Sequence, residues 1–134
     1  MAIESNGAGG LQVLVADDNR DSADVCAVVL RLEGHEVRVA YSGPDALAIG
    51  AEFRPQMVLL DLTMPGMDGY AAARQIRASD WGGATTLVAV TGHGHAEDLR
   101  RTRENGFDHH LVKAGDFSVL QQLLAQCADG HASH

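Results

Sequence analysis

Four apolar residues, Met57, Val58, Leu59 and Leu60, run directly into a carboxylate at Asp61, and a turn rich in proline and glycine follows, Leu62-Thr63-Met64-Pro65-Gly66-Met67-Asp68-Gly69. An apolar run without a polar face has nothing to offer water, so it reads as a strand buried on both sides, as in a parallel sheet. Asp61 then falls at the strand's carboxyl end, where open α/β sheets place their ligand crevice. A charge there is costly unless a cation or hydrogen-bond donors compensate it. A single aspartate in such a place is most often a cap or a strand terminator. Asp17-Asp18, however, ends a second apolar strand, Leu11–Ala16, in the same way. The repetition favours a site.

Short strands and helical segments alternate along the rest of the chain. After Asp17-Asp18-Asn19 comes a helix with an apolar stripe at Val25, Val28, Val29 and Leu32, stopped by Gly34 in a left-handed turn. Cys26 shares that helix and is expected in or beside the core. Glu36–Ala40 alternates as a half-exposed strand. Ser42 with Asp45 forms a capping box, and Pro44 suits the first turn of a helix that runs to about Phe53. Beyond the Asp61 strand, Asp68 is placed to cap a third helix through Ile76 and Arg77, and Asp80-Trp81-Gly82-Gly83 is a loop. Thr85–Val90 is a fourth buried strand, ending in Thr91-Gly92-His93-Gly94. A helix from about His95 to Asn105 carries Glu97 and Asp98 early and Arg100, Arg101 and Arg103 late, an order that complements the helix dipole. Gly106 stops it. Asp108–Val112 is the fifth strand, Lys113 stands at its end, and Asp116 caps a last helix to about Gln126. Five strands alternating with five helices specify a right-handed parallel sheet covered on both faces.

With 134 residues, the chain is long enough for one domain with a real core. The expected organisation is a flexible leader over residues 1–10, a folded domain over 11–127 and a flexible tail over 128–134. A formal net charge of −8 argues against contact with nucleic acid or an anionic membrane. No apolar run has the length of a membrane span, and the first residues lack the pattern of a signal peptide. Cys26 and Cys127 are far apart and fit two reduced thiols in the cytoplasm. Seven histidines include His93-x-His95 and His109-His110, but the spacing is loose and no cysteine joins them, so zinc is the weaker reading.

The strand ends carry the chemistry. Asp17 and Asp18 follow the first strand, Asp61 the third, Thr91 the fourth and Lys113 the fifth, and a sheet of this kind converges those ends on one crevice. Three crowded carboxylates repel one another unless a divalent cation joins them. Mg²⁺ is the natural choice, a hard ion that takes one or two carboxylates, waters and a phosphate oxygen. A cation site beside a lysine and a hydroxyl is built to receive a phosphoryl group, with an aspartate as nucleophile.

Asp-Asp after an apolar strand, D-x-x-M-P-x-M-D-G at the third, Thr-Gly at the fourth and Lys at the fifth closely resemble the receiver domain of two-component response regulators. The resemblance covers roughly Leu11 to Gln126. It implies a flavodoxin-like, doubly wound parallel sheet of strand order 2-1-3-4-5 with five helices. It implies that Asp61 is the phosphoacceptor, that Asp18 and Asp61 ligate Mg²⁺ (Mn²⁺ as a substitute) directly, that Thr63 adds its backbone carbonyl, and that Asp17 acts through water. Lys113 would bind a phosphoryl oxygen and Thr91 would turn inward to bond another; independently of the resemblance, Gly92 and Gly94 are expected to leave the intervening loop free to move. His110 stands where the family keeps its switch aromatic, and the face formed by the fourth helix, fifth strand and fifth helix would carry the signal. The implied partner is a histidine kinase or a histidine phosphotransfer domain. The domain is expected to work by itself or within a larger protein such as a hybrid sensor histidine kinase.

One position departs from the pattern. The family usually follows the lysine with a proline in a cis peptide, and here the residue is Ala114. A cis bond without proline costs about 2.5–4 kcal/mol, so the route into the last helix is the part of the pattern this sequence does not carry. Among other classes, an aspartate-nucleophile phosphohydrolase of the haloacid dehalogenase type shares the nucleophile, cation and lysine. It requires a second aspartate two residues after the nucleophile, where this chain has Thr63. A receiver-like binding module without the chemistry would have no need of all five positions. The resemblance therefore implies self-catalysed phosphotransfer and dephosphorylation rather than turnover of an external substrate.

Overall fold

The computed structural model describes residues 10–62, 69–91 and 96–112. Five strands, β1 (Gln12–Ala16), β2 (Glu36–Ala40), β3 (Met57–Asp61), β4 (Thr86–Thr91) and β5 (His109–Val112), form one sheet of order β2-β1-β3-β4-β5. Every neighbouring pair is parallel. Among the described residues the helices are α1 (Arg20–Leu32), α2 (Gly43–Phe53), α3 (Gly69–Ala78) and α4 (Ala96–Glu104). The expected last helix, Asp116 to Gln126, and the Asp68 cap lie outside them. The doubly wound order is the one the resemblance implied.

The period-two alternation of the central strands divides the core. Leu14, Ala16, Val58, Leu60, Leu87 and Ala89 meet Ala46 of α2 and Tyr70, Ala72, Ala73 and Ile76 of α3. Val13, Val15, Met57, Leu59 and Val88 meet Ala23, Ala27 and Leu30 of α1. All five residues of β3 are buried, as its unbroken apolar run requires. The turn chemistry is as read: Ser42 accepts a hydrogen bond from the Asp45 N–H, and Gly34 and Gly106 both sit at φ 97°.

The α1 stripe is a correction. Val25, Val28 and Leu32 are 56%, 52% and 82% exposed, and the face against the sheet is Ala23, Ala27 and Leu30. Steps of three and four residues define both faces equally well. The small alanines let the helix approach β1 closely, which turns the larger aliphatics outward. Cys26 lies between the two faces and packs beside the core, as expected. Burial, with the nearby Asp17 charge second, pushes its thiol up to about 11.

Trp81 is buried, although the sequence places it in a loop. Its indole lies over α2 where Gly50 has no side chain, and a Cβ there would come within 2.3 Å of the ring. At the foot of the sheet, Arg77 donates to the carbonyls of Gly82, Thr85 and Gly106 and pairs with Asp108 Oδ2 at 2.7 Å. The same oxygen accepts from the Leu87 N–H.

His35, buried where β2 begins, accepts the Leu11 N–H on Nδ1 at 3.0 Å. The neutral ring is thereby favoured, and burial lowers its pKa below 6.5, with Glu33 opposing. The unfolded chain takes up the proton more readily, so this stabilisation is complete above pH 6.5 and is lost as pH falls through the lower folded value. Urea melts from pH 7.5 down to 5 should show that decline. His35→Gln keeps an acceptor but cannot titrate, and should flatten it. An equal decline in the variant would place the acid sensitivity elsewhere.

Candidate functional site

The site grows out of the pairing of β1 with β3. Ala16 is in register with both Leu60 and Ala40, so the residue after each central strand's last apolar position emerges at the same edge of the sheet. Those residues are Asp17 and Asp61. Asp17 is held by its own N–H donating to the Ala40 carbonyl at 3.0 Å, and its Oδ1 accepts from the Asn19 N–H at 3.0 Å. Asn19 in turn caps α1, accepting from the Ser22 N–H at 3.0 Å. The capping role of Asn19 escaped the sequence reading, although an Asp-Asp-Asn run before a helical segment carries the signal.

Asp17 and Asp61 are 5% and 2% exposed, whereas Asp18 is open to solvent. One carboxylate oxygen from each of the three lies within 4.8 Å of the others. The three aspartates that the sequence singled out are therefore brought together. Oxygen donors converging from two buried walls, with the third side wet, fit a hard divalent cation that retains water. The same negative field reaches Cys26, whose thiol it helps keep protonated.

The neighbouring strands bring the remaining candidates up to this edge in part. Thr91 ends β4, one residue beyond Val90, the partner of Asp61, and the Leu62 N–H donates to the Val90 carbonyl at 3.2 Å. Thr91 pairs in turn with Val112, the residue before Lys113. His110 is half-buried on β5 in register with Ala89. Thr63, Gly92, Lys113 and Ala114 lie outside the described residues.

Gly69 was read only as part of a motif, and its physical need is close approach. Its N–H donates to the Leu62 carbonyl at 3.2 Å, and a Cβ would meet the Asp61 carbonyl oxygen and Leu62 Cα, each at 2.6 Å. The first turn of α3 thus presses directly on the backbone that presents Asp61. Gly69→Ala should cost about 1–3 kcal/mol in urea unfolding by overpacking, and should also weaken Mg²⁺ binding by displacing Asp61. Wild-type values for both would show that the turn yields without moving the strand end.

The model for the response regulator receiver domain matches residues 13–125. The DNA-binding response regulator MtrA of Mycolicibacterium paratuberculosis is 35% identical over 102 residues, covering 76% of this chain and 44% of MtrA. Sensor histidine kinase RcsC of Salmonella typhimurium is 34% identical over 119 residues, 89% of this chain and 12% of RcsC. The chain thus spans less than half the length of these two relatives. Among solved structures, the receiver domain of sensor histidine kinase PA1611 from Pseudomonas aeruginosa, with magnesium in its active-site cleft, superposes with a TM-score of 0.81 at 28% identity, covering 90% of this chain and 98% of that one.

Proposed function

Because the chain belongs to the response regulator receiver domain family, we propose that Asp61 is its phosphoacceptor and takes a phosphoryl group from a phosphohistidine on a histidine kinase or histidine phosphotransfer domain. The observation that carries this reading is the convergence of Asp17, Asp18 and Asp61 within 4.8 Å, with Asp61 the most deeply buried of the three. A carboxylate oxygen of Asp61 attacks phosphorus, the phosphorus–nitrogen bond breaks, and the imidazole leaves with its electron pair and takes up a proton. Asp18 and Asp61, with Asp17 acting through water and the Thr63 carbonyl, are the residues that would hold Mg²⁺, or Mn²⁺ in its place. That ion supplies neutralisation of the carboxylate and phosphoryl charge. Lys113 and the Thr91 hydroxyl bind phosphoryl oxygens. Thr91, Gly92 and His110 relay the change to the α4–β5 side of the molecule.

The family is one of signalling domains rather than of classical enzymes, and loss of the phosphoryl group is likewise self-catalysed. A net charge of −8 supports a protein partner over nucleic acid, DNA binding being the description of MtrA as a whole. Among the described residues no helix is long and apolar enough to cross a membrane. The reading places the domain in the cytoplasm, where a phosphohistidine donor and Mg²⁺ are both available.

The outward face of α1 gives the donor somewhere to dock. Val25, Val28 and Leu32 are the exposed large apolar residues among those described, and their helix starts directly after Asp17 and Asp18. A partner helix laid along that stripe brings its phosphohistidine to the mouth of the acid cluster.

Incubation with acetyl phosphate and Mg²⁺ should add about 80 Da, one phosphoryl group, and Asp61→Asn or EDTA should abolish the adduct. An undiminished adduct in Asp61→Asn would sink the assignment. Val28→Ser combined with Leu32→Ser should slow transfer from a phosphorylated histidine phosphotransfer domain roughly tenfold, the effect of about 1.4 kcal/mol, and leave the acetyl phosphate rate unchanged. Equal slowing with both donors would move the docking surface off α1.

A further inference from the structure

Helix α4 is anomalous. It reads Ala96-Glu97-Asp98-Leu99-Arg100-Arg101-Thr102-Arg103-Glu104, polar or charged at every position except Ala96 and Leu99. Among its described side chains, Arg100 to Glu104, four are exposed. Thr102, 2% exposed, is its buried side chain among those described.

Three polar grips hold it and the turn that follows, and all come from one face of α3. The Arg101 guanidinium carbon lies 4.3 Å from the ring centroid of Tyr70. Arg74 donates to Asn105 Oδ1 at 2.5 Å, and Arg77 Nε donates to the Gly106 carbonyl at 2.9 Å. Tyr70, Arg74 and Arg77 recur at i, i+4 and i+7, so they stand in one row. The Arg74 and Arg77 grips fall at the C-terminal end of α4, where Gly106 at φ 97° turns the chain toward β5. Arg101 holds the helix one turn ahead of them.

Tyr70 is well placed to couple this clasp to the acid cluster. It is 7% exposed, meets Phe107 edge-on at 6.4 Å and 82°, and is the second residue of α3. The first, Gly69, bonds to Leu62, the residue after Asp61. In the other direction, residues 92–95 are all that join α4 to Thr91. The position of α4 therefore limits where the end of β4 can go.

We propose that Arg101, stacked on Tyr70, is a positioning residue that clasps α4 and the end of β4 in the resting arrangement, with Asn105–Gly106 as the pivot. The proposal rests on the reading of Asp61 as phosphoacceptor. Removing the stack leaves the pivot in place and loosens the helix ahead of it, so the form in which Thr91 reaches the phosphoryl group is more populated before phosphorylation. Reactivity that depends on that form rises with its population.

The test compares the full chain with Arg101→Met, Arg101→Gln and Arg101→Lys. Both uncharged variants should react with acetyl phosphate about twofold to fivefold faster, the range set by an exposed cation–π contact, with melting temperatures close to wild type. Arg101→Lys keeps the cation and should stay near the wild-type rate. Before any phosphoryl donor is added, the amide NMR signals of Thr91 and α4 in Arg101→Met should be displaced toward their positions in wild type bound to beryllofluoride. A merely structural arginine would lower the melting temperature and move neither rate nor signals in that direction. Unchanged rates and shifts confined to the neighbours of residue 101, in a wild type that does accept a phosphoryl group, overturn the clasp by itself. A wild type that accepts none overturns the phosphoacceptor reading and the clasp with it.

Discussion

Repulsion between Asp17 and Asp61 is the constraint on which the rest of the structure depends. Both carboxylates are nearly out of water, and their oxygens lie within 4.8 Å of each other and of Asp18. Two unit charges at about 4 Å cost on the order of 4 kcal/mol at the effective dielectric of a protein. That is comparable to the whole net stability of a small domain, about 5–15 kcal/mol. The sheet bears this load because the residues behind each carboxylate, Val13–Ala16 and Met57–Leu60, are almost fully buried and packed on both faces. The apolar runs and the carboxylates that end them are two halves of one device. The first supplies rigidity, and the second uses it to hold a charge density that a divalent cation would relieve.

Much of this was legible because the signals are local and chemically narrow. An unbroken apolar run admits a buried strand and little else, and capping at Ser42 or a left-handed stop at Gly34 is decided within a few residues. The site was legible for a related reason: in a parallel sheet, adjacent carboxyl ends must meet, so Asp17 and Asp61 could be joined without coordinates. What stayed hidden depends on choices made between elements. The outward turn of Val25, Val28 and Leu32 follows from alanines that pack against β1 more closely. The burial of Trp81 depends on the space left by Gly50, thirty-one positions earlier in the chain. In the sequence Arg101 is one of three late arginines that complement the helix dipole, and nothing in its neighbourhood there points to Tyr70.

The two helices that flank the site are attached in opposite ways. Helix α1 buries a compact alanine and leucine face and keeps its bulk outward, so it is firmly seated and still offers an adhesive surface. Among the described side chains of α4 only Thr102 is buried, and guanidinium contacts join the helix and the turn after it to α3. Polar contacts of this kind exchange for water with little net change in free energy, whereas stripping a packed apolar face does not. A surface meant to receive a partner gains from the first arrangement, and an element meant to move gains from the second.

Movement at one end of such a sheet requires a fixed point at the other, and Arg77 supplies it. Its guanidinium joins the carbonyls of Gly82, Thr85 and Gly106 to the Asp108 carboxylate, and Asp108 also takes the Leu87 N–H. One side chain thereby ties together the end of α3, the starts of β4 and β5, and the turn leaving α4. These groups lie at the foot of the sheet, at the opposite end of the strands from Asp61. A force applied at the carboxyl ends cannot be absorbed by sliding β4 against β5, because their starts share this node. It cannot be absorbed at the far end of α4 either, since Gly106 is held by the same arginine. Displacement is left to the part of α4 ahead of that turn, where Arg101 stacks on Tyr70. In the proposed switch, the direction of movement is set by what cannot move.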